Sequence, residues 1–167
     1  NKKFGSKYSV VVSNGTAALF IVAKTLGWKK NDVIVTTPIT FVASANCVEN
    51  TGAKVEFVDI NEYNFTIDIP SLEKKLRLNK KIKGIIAVDY AGHPCDWKSL
   101  RKLANKYKVT LINDNCHAMG SKYFQDSKYA IKYADIVTHS YHAVKSITSG
   151  EGGSILTNQK KLYEKFL

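Results

Sequence analysis

The run Ser140-Tyr141-His142-Ala143-Val144-Lys145 leads shortly into Gly150-Glu151-Gly152-Gly153. A lone lysine is ordinarily a solvated surface residue. Lys145 instead stands between the end of a β-rich stretch and a glycine-rich turn, where backbone must come close to something. An amine held there suits Schiff-base formation with a carbonyl, provided its site lets it lose a proton. Asp114 follows the apolar residues Val109, Leu111 and Ile112. A carboxylate at such a place is costly unless it meets a cation or good hydrogen-bond donors. It fits a helix cap or surface turn, and it equally fits a partner for a protonated ring nitrogen. Ser13-Asn14-Gly15-Thr16 reads as strand end, glycine turn and helix start. Glycine lets the backbone approach a ligand, and free N–H groups at a helix N-terminus favour an anion. An ordinary capped helix has the same pattern, and the GxxxxGK[ST] signature of a nucleotide P-loop is absent.

These residues need elements to position them. Tyr8 to Val12 reads as a strand, Ala17 to Leu26 as a helix ended by Gly27, and Val33 to Thr36 as a strand. A helix from Phe41 to Glu49 and a strand from Val55 to Val58 follow. Asp68 is a cap for a helix through Leu78, with Pro70 tolerated in its first turn. Ile82 to Val88 is a β-branched strand. Asp96 can cap a helix carrying Trp97, Leu100, Leu103, Ala104 and Tyr107 at helical spacing. Val109 to Ile112, Ile136 to Thr138 and Ser154 to Thr157 complete the strands. Asn158 is expected to cap a last helix over Gln159 to Leu167. Several strands are near-continuous apolar runs, the mark of strands buried on both faces. The expected class is therefore α/β, a mostly parallel sheet flanked by helices, in one domain. Ligands of such sheets sit at the carboxyl ends of the strands. Asp89, Tyr90, Asn113, Asp114, His117, His139, Ser140, His142 and Lys145 are all expected near that edge.

Composition narrows the partners. The chain has 167 residues and a formal charge of +11, with 25 Lys and Arg against 14 Asp and Glu. The excess is lysine scattered along the chain, and only Arg77 and Arg101 are arginine. Nucleic-acid readers lean on arginine forks, so a nucleic-acid partner is not expected. A positive surface would still attract anionic metabolites. No apolar run is long enough to span a bilayer, so no membrane partner is expected. The start carries no apolar stretch with a cleavage site, which points to the cytoplasm. Cys47, Cys95 and Cys116 are odd in number and widely spaced, and read as reduced, buried thiols. The missing initiator Met and the ending within a helix point to a segment of a longer protein.

Five segments, SNGTAALFIVAKTLG, VIVTTPITFVASAN, AVDYAGHPCDW, LINDNCHAMGS and HSYHAVKSITSGEGG, together resemble the DegT/DnrJ/EryC1/StrS sugar-nucleotide aminotransferases. The resemblance runs from about Tyr8 to Leu167. It implies the fold type I large domain of pyridoxal 5'-phosphate enzymes over residues 1–167, with the small C-terminal domain lying outside this sequence. It implies that Lys145 forms the Schiff base with the cofactor and that Asp114 holds the pyridine N–H. Phe41 would stack on the ring, and His117 would contact the ring hydroxyl or the phosphate region. Gly15, Thr16 and Ser140 would cradle the phosphate. The implied reaction moves an amino group from an amino-acid donor, glutamate in most of the family, to a nucleotide-linked keto-sugar for polysaccharide or glycoconjugate synthesis. The implied assembly is a homodimer with shared active sites.

Three rivals stand beside this reading. Sugar dehydratases of the same family carry His where Lys145 stands, so the lysine favours transamination. A metal or regulatory module could use His117, His139, His142 and Cys116, although the HxxH pair falls on a strand end and a turn rather than on one helical face. A binding domain without chemistry is the third.

Overall fold

A computed structural model describes residues 3–167. Seven strands form one sheet in the order β1-β7-β6-β5-β4-β2-β3. They are β1 (Tyr8–Val12), β2 (Val33–Thr36), β3 (Lys54–Phe57), β4 (Ile82–Val88), β5 (Thr110–Asp114), β6 (Ile136–Ser140) and β7 (Gly153–Thr157). β7 runs antiparallel to both its neighbours, β1 and β6. The pairings among β3, β2, β4, β5 and β6 are parallel. The expected α/β, mostly parallel sheet is what the chain forms.

Helices cover both faces. Strand residues alternate sides, so β4 sends Ile85 and Ala87 to one core and Ile86 to the other. β5 does the same with Leu111 and Ile112, and β6 with Val137 and Ile136. The first core contains residues of α3 (Ile69–Leu78), α4 (Trp97–Tyr107) and α5 (Tyr129–Tyr133). The second contains residues of α1 (Gly15–Leu26), α2 (Ala43–Glu49) and α6 (Lys160–Phe166). This two-sided burial explains the continuous apolar runs.

The caps behave as their residue types predict. Asp68 accepts from the Ser71 N–H and Asp96 from the Ser99 N–H, which starts α3 and α4. Gly27 closes α1 in the left-handed region at φ 68°. Asn158 does not cap α6. Its Oδ1 accepts the Lys7 N–H at 2.8 Å and ties the approach to β1 to the end of β7, while Gln159 takes the cap position without a side-chain bond to the helix N-terminus. α2 begins at Ala43 rather than Phe41, and β3 begins one residue earlier than its apolar pattern suggests. The larger corrections are at β5 and β6. Both run two residues further than expected: in β5 Asp114 still pairs with Val88 on one side and Thr138 on the other, and in β6 His139 and Ser140 still pair with Ser154 and Gly153 of β7. The one-turn helix α5 is too short to show a helical period. Among the described residues no helix is long and apolar enough to cross a membrane.

Candidate active site

The carboxyl ends of the parallel strands open on a cavity of about 480 Å³. Its lining includes all seven residues to which the family resemblance gives a role: Gly15, Thr16, Phe41, Asp114, His117, Ser140 and Lys145.

Asp114 is the last residue of β5 and is 4% exposed. The alternation of β5 points it to the α1–α2 side. Ser44 Oγ donates to its Oδ2 at 2.7 Å and the Cys116 N–H to its Oδ1 at 3.2 Å. Thr40 Oγ1 lies 2.8 Å from Ser44 Oγ, so the carboxylate ends a short hydroxyl chain. Among the described residues no Lys, Arg or His side chain lies within ion-pair distance of it. A buried carboxylate with two donors, no cation and an open cavity before it has capacity left for a cationic N–H.

Opposite stands the N-terminus of α1. Asn14 Oδ1 accepts the Ala17 N–H and its carbonyl accepts the Ala18 N–H. The first-turn N–H groups of Gly15 and Thr16 are thus left for a ligand. Two glycines make this turn possible. A Cβ on Gly15 would stand 2.7 Å from the Ser140 Cβ, and one on Gly153 would stand 2.5 Å from the Asn14 carbonyl carbon and oxygen. The bare backbone of β7 lets the Asn14-Gly15 turn settle directly on the sheet beside Ser140. No residue with a side chain permits that contact.

Lys145 sits on the connection between β6 and β7. This loop is tied at its base, where the Tyr141 N–H donates to the Gly152 carbonyl and the Ser149 N–H to the Tyr141 carbonyl. The Lys145 N–H donates to the His142 carbonyl, which closes a local turn under the lysine. His142 Nε2 and Glu151 Oε1 lie 3.5 Å apart on the cavity rim. His117 is half-buried on the far wall with Tyr90 against its ring edge. Burial holds its pKa below the usual histidine value, the nearby Lys145 charge adds to this, and Asp114 opposes it. Its ring is therefore neutral near pH 7.

Phe41 is 61% exposed at the mouth, beside the exposed Val42 and Val144. Cys116 also lines the cavity, but burial and the Asp114 charge push its thiol well up, which leaves it protonated and a poor nucleophile. Cys47 is pushed up to about 12 for the same reasons.

The structure also separates residues that the sequence grouped. Asp89, Asn113 and His139 do not enter the cavity. They lie on the opposite side of the sheet, because the two-residue alternation of β4, β5 and β6 sends them there. His139 and His142 accordingly part: His139 packs against Phe4, with ring centroids 4.9 Å apart, and His142 stays on the rim. Among the described residues no cluster of three or more His, Cys, Asp or Glu suited to a metal occurs.

The fold and the sequence are shared with known proteins. Residues 1–167 match the DegT/DnrJ/EryC1/StrS aminotransferase family. The chain belongs to that family. It is 37% identical over 161 residues to the GDP-perosamine synthase of Escherichia coli O157:H7, a match that covers 96% of this chain and 43% of the relative. It is 40% identical over 163 residues to the UDP-4-amino-4,6-dideoxy-N-acetyl-beta-L-altrosamine transaminase of Campylobacter jejuni, covering 96% of this chain and 42% of that protein. Among solved structures, NtdA from Bacillus subtilis with bound cofactor PMP superposes with a TM-score of 0.89 at 30% identity, over 98% of this chain and 36% of the other. The chain spans about two fifths of the curated relatives it matches.

In this DegT/DnrJ/EryC1/StrS member Ser44 is a site residue that the sequence does not announce. Its signal was faint: a hydroxyl three residues after Phe41 and four after Thr40, one helical turn away from both. Nor does the sequence announce the role of Asn14, whose side chain decides which N–H groups of α1 remain available.

Proposed function

We propose that the protein to which this chain belongs is a pyridoxal 5'-phosphate-dependent aminotransferase, and that residues 1–167 form its large cofactor-binding domain. The observation that carries this is the buried Asp114 carboxylate, without a cation of its own, in a cavity lined also by Lys145 and by the N-terminus of α1, where Asn14 caps Ala17 and leaves the Gly15 and Thr16 N–H groups for a ligand.

The residues present fit the cofactor. When bound, it supplies an electron sink for negative charge at the carbon that carries the amine. Asp114 holds the proton on the ring nitrogen and is itself oriented by Ser44. Phe41 offers a flat face that fixes the ring plane. The N–H groups of Gly15 and Thr16 and the Ser140 hydroxyl bind the phosphate, aided by the α1 dipole. His117, neutral near pH 7, can hydrogen-bond a ring substituent without adding charge. Lys145 Nζ anchors the cofactor and moves the proton at the carbon bearing the amine. Lysine here, and not histidine, favours transamination over dehydration.

The substrate reading rests on the relatives named for nucleotide-linked amino sugars; glutamate as the donor rests on the family resemblance alone. A net charge of +11 over these 167 residues suits an anionic nucleotide-sugar, and such a substrate suits an enzyme of the cytoplasm. Phe41 and Val144, both exposed, line the cavity, and their chain neighbours Val42 and Ile147 are exposed as well. Apolar residues grouped there suit cover by a second copy, in a homodimer with shared sites.

Borohydride treatment of the full-length protein followed by peptide mapping tests the cofactor assignment; the adduct is expected on Lys145, and an adduct on another lysine overturns it. Two half-reactions test the substrate. Glutamate should convert the absorbance of the bound cofactor to that of its amine form, and a nucleotide-linked keto-sugar should restore it. Restoration by simple 2-oxo acids and by no keto-sugar nucleotide would make it an amino-acid transaminase.

A further inference from the structure

Asp89 is fully buried at the end of β4 and accepts five hydrogen bonds. The Cys95 N–H and the Trp97 indole N–H donate to Oδ1 at 2.8 and 3.0 Å. Asn113 Nδ2, Asn115 Nδ2 and the Tyr129 hydroxyl donate to Oδ2 at 3.1, 2.9 and 2.8 Å. Four of these five groups can only donate, so the pocket is built for an ionised carboxylate even though burial pushes its pKa up. No cation faces it among the described residues. Such a group is expensive to keep, and its neighbours show what it is kept for.

Asn113 and Asn115 flank Asp114 in the chain. Side chains alternate along an extended strand, so both amides point away from the cavity while Asp114 points into it. Both amides end on the same oxygen of Asp89. The Asp89 N–H donates to the Asp114 carbonyl at 3.2 Å, and the Tyr129 hydroxyl accepts from Asn115 Nδ2 at 3.0 Å. Asp114 is thereby held from behind at the residue before it, at the residue after it and at its own carbonyl. Asn113 bears a cost for this, since its Oδ1 is buried without a partner. An apolar residue would avoid that cost but could not reach Asp89.

We propose that Asp89 is a positioning residue: through Asn113 and Asn115 it clamps the end of β5 so that the Asp114 carboxylate faces the cavity in one fixed orientation. This deepens the proposed function and rests on it for what Asp114 contacts. The clamp itself is a statement about the unliganded chain.

Two measurements on the full-length protein test it. The first is the affinity of the apo-protein for pyridoxal 5'-phosphate, by absorbance titration, in Asp114→Asn, Asp89→Asn, Asn113→Ala and the two doubles that carry Asp114→Asn. Asp89→Asn and Asn113→Ala are each expected to weaken binding about tenfold, as the loss of a supporting group does. Each double should bind no more weakly than Asp114→Asn alone, because the clamp acts through that carboxylate. Unchanged affinity in the single variants, or losses that multiply in the doubles, would overturn the clamp. Asn113→Ala guards against a folding failure of Asp89→Asn, since it also removes the orphan carbonyl.

The second measurement is independent of the cofactor: a crystal structure of apo Asn113→Ala. The expected result is that Asp114 loses its single orientation and its 2.7 Å bond from Ser44. An unmoved Asp114 rejects the clamp whatever the titrations give. An Asp114→Asn variant that binds the cofactor normally rejects the proposed role of Asp114 instead, so the two failures are told apart.

Discussion

At the carboxyl ends of β4, β5 and β6 the same three strands face two different environments. On one side lie Asp89, Asn113, Asn115 and His139, packed shut. On the other lie Val88, Asp114 and Ser140, around an open cavity. Each side holds a buried carboxylate, Asp89 at 0% and Asp114 at 4% exposure. Burial therefore does not tell them apart. Their partners do: five donors saturate Asp89, whereas two donors leave Asp114 with lone pairs directed at empty space. A saturated buried anion belongs to the architecture, and an unsaturated one facing a cavity is ready for a ligand.

The sharpest way to break this comparison is to neutralise Asp114. Asp114→Asn in the full-length protein is expected to lower transamination by a hundredfold or more, on the order of the ~3 kcal/mol lost when one partner of a buried charge pair is truncated. The apo-protein should lose less than about 1 kcal/mol, because an amide in that place no longer needs a counter-charge. Steady-state kinetics and apo-protein denaturation give both numbers. Near-normal turnover, or a collapse in apo stability, would put Asp114 in the same class as Asp89.

The closed side makes its own prediction through His139. Its ring packs against Phe4, its Nδ1 lies 3.4 Å from Ser154 Oγ, and burial lowers its pKa from 6.5 to about 4. Between those two values the unfolded chain binds a proton that the folded chain refuses. Stability attributable to His139 is thus full above pH 6.5, falls as the pH drops, and levels off below about 4. The whole excursion is worth roughly 3 kcal/mol at about 1.4 kcal/mol per pH unit. Denaturation at pH 7 and pH 4.5 should show a larger acid loss in wild type than in His139→Gln. Equal losses would mean that His139 is not held neutral by its surroundings.

How much of this was legible in the sequence follows the range of the interactions. Strands buried on both faces write their character locally, as continuous apolar runs, and β2 and β4 were read to the residue. Asp68 and Asp96 announce their helices because a cap acts within three residues. The cavity residues could be named because glycine turns, strand ends and the segment around Lys145 are local too. The division of polar residues between the two sides was not legible. It turns on β5 and β6 continuing through Asn113, Asp114, His139 and Ser140, residues whose types suggest a loop. Three of the five partners that claim Asp89 lie 24, 26 and 40 residues away in the chain. An aspartate after a strand looks the same whether it faces a ligand or five donors.

The smallest expected effect tests the open side at its other wall. Asn14 takes the Ala17 N–H for itself, at 2.8 Å, and so fixes which first-turn donors of α1 remain for an anion. Asn14→Ala removes the cap and should cost about 1 kcal/mol in the apo-protein, with Asn14→Ser recovering most of it. A phosphate seated at this turn would supply negative charge where the cap supplied an acceptor, and would satisfy the same run of N–H groups. The stability difference between wild type and Asn14→Ala should therefore shrink when both are saturated with pyridoxal 5'-phosphate. Melting curves with and without the cofactor measure this directly. A difference that persists unchanged in the loaded proteins would mean that the phosphate binds elsewhere, and would remove Gly15 and Thr16 from the cradle while leaving Asp114 and Lys145 untouched.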